Sequence, residues 1–282
     1  MAKLRFPEDY HDYFDPKIYL EYFKEYKRCE NDEWSMLLFV DTFHEFWRNY
    51  KRPNDSVELR YLEYGGGPSI AHLIVACPYV DRIVFSEYTE PNRQAVRSWI
   101  AGEPDAHDWT PLIEIVVQEL EQADESLKES FVALTDEEKI EAVHKRTKEL
   151  KRKIKSIVAC DVTKTPIVEL EDEDVAEGFD VVSTSLCLES CVSSEEHYKS
   201  SVGELAKILK PNGVLYMGGV LEGSFYFVGE EMFNNFPMNE KMVKEAMEEA
   251  GLAIEKFIIF PQKDTEVCDA KFIFFTYGRK IM

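Results

Sequence analysis

The chain has 282 residues, with 54 Asp and Glu against 33 Lys and Arg, for a formal net charge of −21. No basic surplus is available to release counterions from a phosphate backbone, so no nucleic-acid partner is expected. Hydrophobic residues make up 45% and aromatics 13%, which suits a full core and argues against disorder; no apolar run reaches transmembrane length, so no membrane partner is expected either.

Met1 to Asp9 lacks the apolar core of a secretory signal, and the six cysteines (Cys29, Cys77, Cys160, Cys187, Cys191, Cys268) include no C-x-x-C pair. The expectation is a cytoplasmic protein with reduced thiols, and with no metal because no His/Cys cluster has ligand spacing. Residues 1–50 are predicted to be an N-terminal helical lid. Within it, Tyr10, Tyr13, Phe14, Tyr19, Tyr22, Phe23 and Tyr26 suit a flap that closes over a ligand. Trp34 to Trp47 has the helical spacing of core packing. Pro53-Asn54-Asp55-Ser56 reads as a turn.

The next strand runs into Glu63-Tyr64 and ends in Gly65-Gly66-Gly67-Pro68-Ser69, with a helix from Ser69 to Ala76. A strand, a glycine turn and a helix bring a ligand against bare backbone and aim helix N–H groups at it. The following strand, Arg82 to Ser86, ends at Glu87, about 20 positions beyond the turn, where a nucleotide ribose is usually gripped. Pro91 to Ile100 is predicted helical, and Ile113 to Val117 is a short apolar segment of undecided type. Residues 119–156 form a charged helical excursion: Thr135 and Glu138 fit a capping box, and Ile140, Val143, Leu150, Ile154 and Ile157 follow at helical spacing. Strands resume at Ser156 to Asp161 and Phe179 to Thr184. A helix from Ser194 to Leu209 stops at Lys210-Pro211-Asn212-Gly213. Then come a strand, Val214 to Met217, a helix, Asn239 to Ala250, and two β-rich runs, Ala253 to Phe260 and Lys271 to Tyr277. This alternation implies an α/β chain with a doubly wound, mostly parallel sheet in a single domain, 1–282.

A nicotinamide dinucleotide site calls for G-x-G-x-x-G, but Ile70 stands where the third glycine belongs. Glu63 two residues before the first glycine, Glu87 ending the second strand and Asp161 ending the third resemble instead the Rossmann-like S-adenosylmethionine methyltransferases. The resemblance narrows with an ordered set of segments. These are Phe14-Asp15-Pro16-Lys17-Ile18-Tyr19-Leu20, Gly65 to Ser69, Glu87 to Asn92, Glu103 to Trp109, and Cys160-Asp161-Val162. Ser185-Leu186-Cys187-Leu188-Glu189, Leu209 to Gly213 and Ser224 to Glu230 complete it. Together they resemble the small-molecule N-methyltransferases acting on nicotinamide, phenylethanolamine and indolethylamine. Nearly the whole chain is covered except the 119–156 excursion.

The resemblance implies a class I methyltransferase fold, with a seven-stranded sheet whose last strand is antiparallel. It implies S-adenosyl-L-methionine as cofactor, with Tyr19 over the methionine end and Gly65, Gly66 and Gly67 along it. Glu87 would hold the ribose hydroxyls with Tyr88 and Asn92 nearby, Asp161 and Val162 would flank the adenine, and Ser185 would lie beside the methionine moiety. Two positions depart from the family: Glu87 stands where Asp is usual, and Ala71 where a tyrosine is frequent.

Methyl transfer from a sulfonium is an in-line displacement that needs positioning and dryness more than acid–base chemistry at sulfur. Aromatic faces help, with Tyr10 and Tyr19 as candidates. An ammonium substrate, with a pKa of about 10, must also be bound and deprotonated. The resemblance assigns that task to a carboxylate pair, Glu189 and Asp269, and puts Tyr226 and Asn235 in the substrate pocket. In so acidic a chain, solvation is the ordinary fate of a loop carboxylate, so the family match carries these assignments. Where the nicotinamide enzyme has polar side chains, this chain has Gly219 and Gly223, which favours an arylalkylamine over a pyridine. The expected partner is therefore a small-molecule amine or azaheterocycle, taken up by a monomer. A nicotinamide N-methyltransferase and a non-catalytic S-adenosylmethionine-binding protein are the alternatives. Cys187 and Cys191 flank Glu189 without a histidine to activate them and read as structural, buried thiols. The histidines are isolated, and only His11, in the lid, has a place near a substrate.

Overall fold

The structure, a computed structural model, describes residues 3–24, 36–52, 57–121, 135–262 and 266–281. Tyr26, Cys29, Trp34, the turn at 53–56, positions 122–134 of the excursion, and Asp264 with Thr265 lie outside the described residues.

Ten strands are numbered in chain order: β1 (Leu4–Arg5), β2 (Arg60–Tyr64), β3 (Arg82–Glu87), β4 (Ile154–Ala159), β5 (Phe179–Ser185), β6 (Leu209–Leu221), β7 (Phe225–Val228), β8 (Glu231–Asn234), β9 (Leu252–Pro261) and β10 (Phe272–Lys280). Seven form one sheet in the order β4-β3-β2-β5-β6-β10-β9. The first five are parallel, and β10 runs antiparallel to both β6 and β9. The expected class, a doubly wound sheet with an antiparallel last strand, is the one observed. All five residues of β2 are buried, because helices cover both faces and a central parallel strand is then a continuous buried run. The chain leaves β2 toward β3 and β4, then returns to pair β5 with the other edge of β2. The crevice at that reversal, above the carboxyl ends of the strands, is where such sheets bind ligands.

Two apolar layers hold the helices. On one face Phe43 and Trp47 of the Met36–Asn49 helix and Leu73 of the Ala71–Ala76 helix join Tyr61 and Val181. On the other, Tyr198 and Val243 of the Glu195–Lys207 and Glu240–Glu249 helices pack on Leu62 and Val182. The 119–156 excursion is helical from Asp136 to Lys153, and its capping box forms: Glu138 N donates to Thr135 Oγ1 at 3.3 Å and Thr135 N to Glu138 Oε2 at 2.7 Å. It is less solvated than its charge suggests. Val143 and Leu150 are buried, Arg146 makes a bidentate pair with Glu121 (2.6 and 2.8 Å), and Lys153 donates to the Cys77 carbonyl at 2.7 Å. Ile154 and Ile157 belong to β4 rather than to this helix, while Ile140 is 57% exposed.

The N-terminal region departs from a uniform helical lid. Leu4–Arg5 is a strand that pairs in parallel with Met232–Phe233, adding itself to the β7–β8 hairpin as a three-stranded sheet. Short helices follow at Tyr10–Tyr13 and Pro16–Leu20, the second capped by Asp15, whose carboxylate accepts from Lys17 N at 2.8 Å. The Met36–Asn49 helix belongs to the core: Phe43 lies 4.7 Å from the Tyr216 ring and Phe39 4.8 Å from the Phe275 ring. The undecided segment near Ile113 is a helix, Thr110–Ile115, continuing as a π turn to Leu120.

Candidate active site

A cavity of about 390 Å³ opens above the carboxyl ends of β2, β3, β4 and β5. Its wall holds fourteen of the fifteen residues expected to form the site: Tyr10, Tyr19, Gly65, Gly66, Gly67, Glu87, Tyr88, Asn92, Asp161, Val162, Ser185, Glu189, Tyr226 and Asn235. Asp269 is absent from it.

The glycine turn works differently from its sequence reading. Gly65 N and Gly66 N donate to the Ser86 carbonyl at 2.9 and 3.1 Å, and Gly67 N donates to Glu87 Oε2 at 3.0 Å. The following helix begins only at Ala71. The turn therefore offers room rather than N–H donors. A Cβ on Gly65, at φ +66°, would lie 2.1 Å from Cys187 Sγ, and one on Gly66 would lie 2.3 Å from the Phe85 ring. An anion nest of free N–H groups, as for a pyrophosphate, is not what is built here.

Glu87 ends β3 and is 6% exposed. Its carboxylate accepts from Gly67 N, Thr89 N (3.0 Å), Thr89 Oγ1 (3.3 Å) and Asn92 Nδ2 (3.0 Å), all neutral donors. Arg93 holds the same corner by donating to the Glu87 and Tyr88 carbonyls at 2.5 and 2.6 Å. Asp161 accepts from Thr163 N and Oγ1 at 2.9 and 2.6 Å. Burial opposes its ionisation, but these bonds and Lys164 outweigh burial and hold its carboxyl below the usual range. His197 Nε2 donates to the Val162 carbonyl at 3.2 Å, so this histidine is not isolated but ties the loop after β4 to the Glu195–Lys207 helix. Beneath the turn, Glu63 is buried with Tyr61, Ser183 and His72, the histidine Nδ1 at 3.1 Å. His11 is exposed and packs against the Tyr88 ring at 4.7 Å, outside the cavity lining.

On the other side of the cavity, the short helix Leu188–Cys191 after β5 brings in Glu189, 3% exposed. Its Oε1 accepts from Val220 N at 3.1 Å. Burial pushes this carboxyl up to about 7, with backbone N–H groups pulling only partly the other way. Gly219 makes the position available, since a Cβ there would lie 2.6 Å from Glu189 Oε1. The Tyr10 and Tyr226 hydroxyls hydrogen-bond to each other across lid and hairpin. Phe233 packs against both, edge-on to Tyr10 at 4.8 Å and stacked on Tyr226 at 5.5 Å. Asn235 Oδ1 accepts from Ser190 Oγ at 2.8 Å. Asp269 lies apart: its carboxylate accepts from Ser224 N and Oγ, both at 2.6 Å, and from Phe225 N at 3.0 Å. The two carboxylates expected as a pair are thus not brought together in the cavity wall, because the start of the hairpin takes Asp269's acceptor capacity. Phe14, Tyr22, Met36, Thr163, Ser190, Cys187, Cys191, Val267 and Cys268 line the cavity without having been singled out as site residues. Phe14 and Tyr22 belong to the aromatic pattern of the lid, whereas Thr163, Cys187, Ser190 and Cys191 lie in segments after β4 and β5, and Val267 and Cys268 in the segment before β10.

No Lys, Arg or His lines this cavity among the described residues, whereas Glu8, Glu87, Asp161 and Glu189 all do. Two buried acceptors, Asn92 Oδ1 and Ser185 Oγ, have no hydrogen-bond partner among the described residues, and an orphaned buried polar atom on a cavity wall marks a place for ligand donors. The donor-poor glycine turn, the acidic wall and these two atoms fit a cationic adenosyl ligand.

A model of the NNMT/PNMT/TEMT family matches residues 2–281. The chain belongs to the NNMT/PNMT/TEMT family. Nicotinamide N-methyltransferase of Sus scrofa is 28% identical over 222 residues, 78% of this chain and 76% of that protein. Phenylethanolamine N-methyltransferase of Rattus norvegicus is 27% identical over 228 residues, covering 78% and 72%. Among solved structures, magnesium protoporphyrin IX methyltransferase from Synechocystis PCC 6803 with bound S-adenosylmethionine superposes with a TM-score of 0.52 at 8% identity, over 97% and 94% of the two chains. That last likeness concerns the fold. The protein is an S-adenosylmethionine-dependent N-methyltransferase. Among the described residues no helix is long and apolar enough to cross a membrane.

Proposed function

We propose that the protein transfers a methyl group to the nitrogen of a small arylalkylamine, with Glu189 binding the ammonium and taking its proton. The observation that carries this reading is Glu189 itself, a buried carboxylate on the cavity wall pushed up to about 7. Bound S-adenosylmethionine would supply an electrophilic methyl on a sulfonium. Glu87 and Asn92 would take the ribose end, Asp161 and Val162 the adenine, and Tyr19 and Ser185 the methionine end. Gly65, Gly66 and Gly67, with Tyr88, would shape the wall alongside. Tyr10 and Tyr226 would close over the reacting nitrogen, exclude water and present aromatic faces to positive charge. An ammonium has no lone pair, and a base poised near the operating pH removes its proton most effectively. Asp269, satisfied by Ser224 and Phe225, would fix the hairpin that carries Tyr226 rather than touch the amine.

The nicotinamide reading has one feature in its favour. Ser190 takes up Asn235 Oδ1, which leaves the Asn235 amide nitrogen for a carboxamide oxygen. A pyridine nitrogen has no proton to lose, so Glu189 separates the two readings. The test measures methylation of β-phenylethylamine and of nicotinamide by wild-type protein and Glu189→Gln, with cofactor affinity followed by calorimetry. The expected result is amine turnover that drops by roughly 10²–10⁴-fold in the variant, with cofactor Kd within about threefold of wild type. Turnover of nicotinamide alone, or an unchanged amine rate in Glu189→Gln, would refute the reading.

A further inference from the structure

Five cysteines fall among the described residues; Cys77, Cys160 and Cys268 are buried, while Cys187 and Cys191 are partly exposed. These two bracket Glu189, line the same cavity, and hold their sulfurs 3.7 Å apart. They are therefore less enclosed than the buried, structural thiols expected from the sequence. Cys187 sits at a tight corner: the preceding Leu186 has φ +51°, in the left-handed region that non-glycine residues seldom occupy. Its sulfur packs directly on the glycine turn, as the 2.1 Å approach to a Cβ on Gly65 indicates.

We propose that Cys187 and Cys191 form a dithiol modification site in the cavity wall, closed to a disulfide by a hydroperoxide, and that closure prevents S-adenosylmethionine from seating. Hydrogen bonding with Cys191 first, and burial second, raise the Cys187 thiol well above its ordinary range, and the Cys191 thiol donates to the Cys187 carbonyl at 2.7 Å; the balance is the same whichever sulfur attacks first. With Cys191 first, its sulfur attacks a peroxide oxygen, the O–O bond breaks, and the thiol proton leaves with the departing oxygen as water or alcohol, giving a sulfenic acid. The Cys187 sulfur then displaces the hydroxyl from Cys191; the S–S bond forms, the S–O bond breaks, and the Cys187 proton leaves in a second oxygen product, water. Two electrons and two thiol hydrogens pass to the peroxide. Shortening 3.7 Å to the roughly 2.05 Å of a disulfide requires the Cys187 sulfur, which packs on Gly65, to shift, and with it the Ser185–Leu186–Cys187 corner. That corner and Gly65 form one wall of the cavity. A ligand already in the cavity covers both sulfurs and protects them.

The proposal is independent of which amine is methylated, since its readouts are a crosslink and cofactor binding. Full-length protein free of cofactor is treated with hydrogen peroxide, alkylated and mapped by mass spectrometry, and its S-adenosylmethionine affinity is measured by calorimetry. The expected result is a peptide carrying both Cys187 and Cys191, two hydrogens lighter and unalkylated, with affinity lowered by about tenfold or more. Dithiothreitol restores affinity, and prior loading with S-adenosylhomocysteine slows crosslinking. In Cys191→Ser the crosslink disappears and affinity is the same before and after peroxide, each compared within the variant. Should that variant fold poorly, the ligand-protection arm on wild-type protein decides alone. Mapping of the bond to Cys160 or Cys268, oxidation that stops at sulfinic acid, or unaltered affinity in the crosslinked protein would overturn it.

Discussion

The two ends of the parallel sheet treat buried carboxylates in opposite ways. At the amino end, Asp174 is fully enclosed and shared by two arginines: Arg60 Nη2 at 2.5 Å, Arg82 Nε at 2.9 Å and Arg82 Nη2 at 3.2 Å. At the carboxyl end, Glu87 and Glu189 are also buried, yet their hydrogen bonds come from neutral N–H and O–H groups. A carboxylate neutralised by guanidinium groups has its charge cancelled inside the protein. One held only by neutral donors has its ionised form left uncompensated inside the protein, a cost in stability that a bound cation can offset. The amino end is built to hold the sheet, and the carboxyl end to receive cations.

The largest test of this contrast is Asp174→Ala. It leaves Arg60 and Arg82 buried without their shared partner and is expected to cost about 3–5 kcal/mol, read as a lower urea midpoint at unchanged slope. A loss under about 1 kcal/mol would mean the amino-end network is ornamental. Next comes Glu189 and pH. Its unfolded pKa is about 4.3 and its folded value about 7, so the native state keeps a proton that the unfolded chain has already released. Stability is then fully present below the unfolded value and is lost as pH rises through the folded one. Glu189→Gln stays neutral throughout, so in cofactor-free protein it should gain on wild type by roughly 2–3 kcal/mol between pH 5 and pH 8. Parallel pH profiles for the two proteins would show that Glu189 carries no stored charge penalty. Glu87→Gln follows. It keeps acceptor geometry on one side but removes the charge, and cofactor affinity should fall by about 1.5–3 kcal/mol, or tenfold to a hundredfold. The thermal midpoint of that variant without cofactor should hold or rise.

Much of this contrast can be read from the sequence on the strand side and little on the donor side. The apolar runs of β2, β3 and β5 are visible because both faces of a central parallel strand are buried, and the carboxylates stand at their ends at family spacing. What meets each carboxylate is decided by tertiary contacts. The glycine N–H groups turn to Ser86 on the neighbouring strand, and Glu189 finds Val220 N thirty-one positions away. Leu4–Arg5 was hidden for the same reason: two residues carry no periodicity, and their partner strand β8 comes in the chain only after β2, β3, β4, β5 and β6 of the main sheet. The lid pattern of aromatics was legible, but not that it would be fastened by a strand, by the Arg5–Glu231 ion pair at 2.7 Å and by Arg5 over the Tyr13 ring at 3.3 Å.

Asp269 is the acid for which sequence position and environment disagree, and it gives the smallest effect. It resembles Glu87 in accepting from neutral donors, since Ser224 and Phe225 supply them, but it lies outside the cavity lining. Burial opposes its ionisation less than those bonds favour it, so its carboxyl is held below the usual range, the reverse of Glu189. A base held in that state has little reason to take a proton from an ammonium. Asp269→Asn keeps one acceptor oxygen for the hairpin and should cost about 0.5–1.5 kcal/mol of stability, lost in wild type as pH falls through its lowered folded value. Turnover of the amine should stay within about threefold of wild type. A collapse comparable with Glu189→Gln would restore the carboxylate pair, and would require the segment before β10 to release Ser224 and Phe225 and bring Asp269 into the cavity when substrate binds.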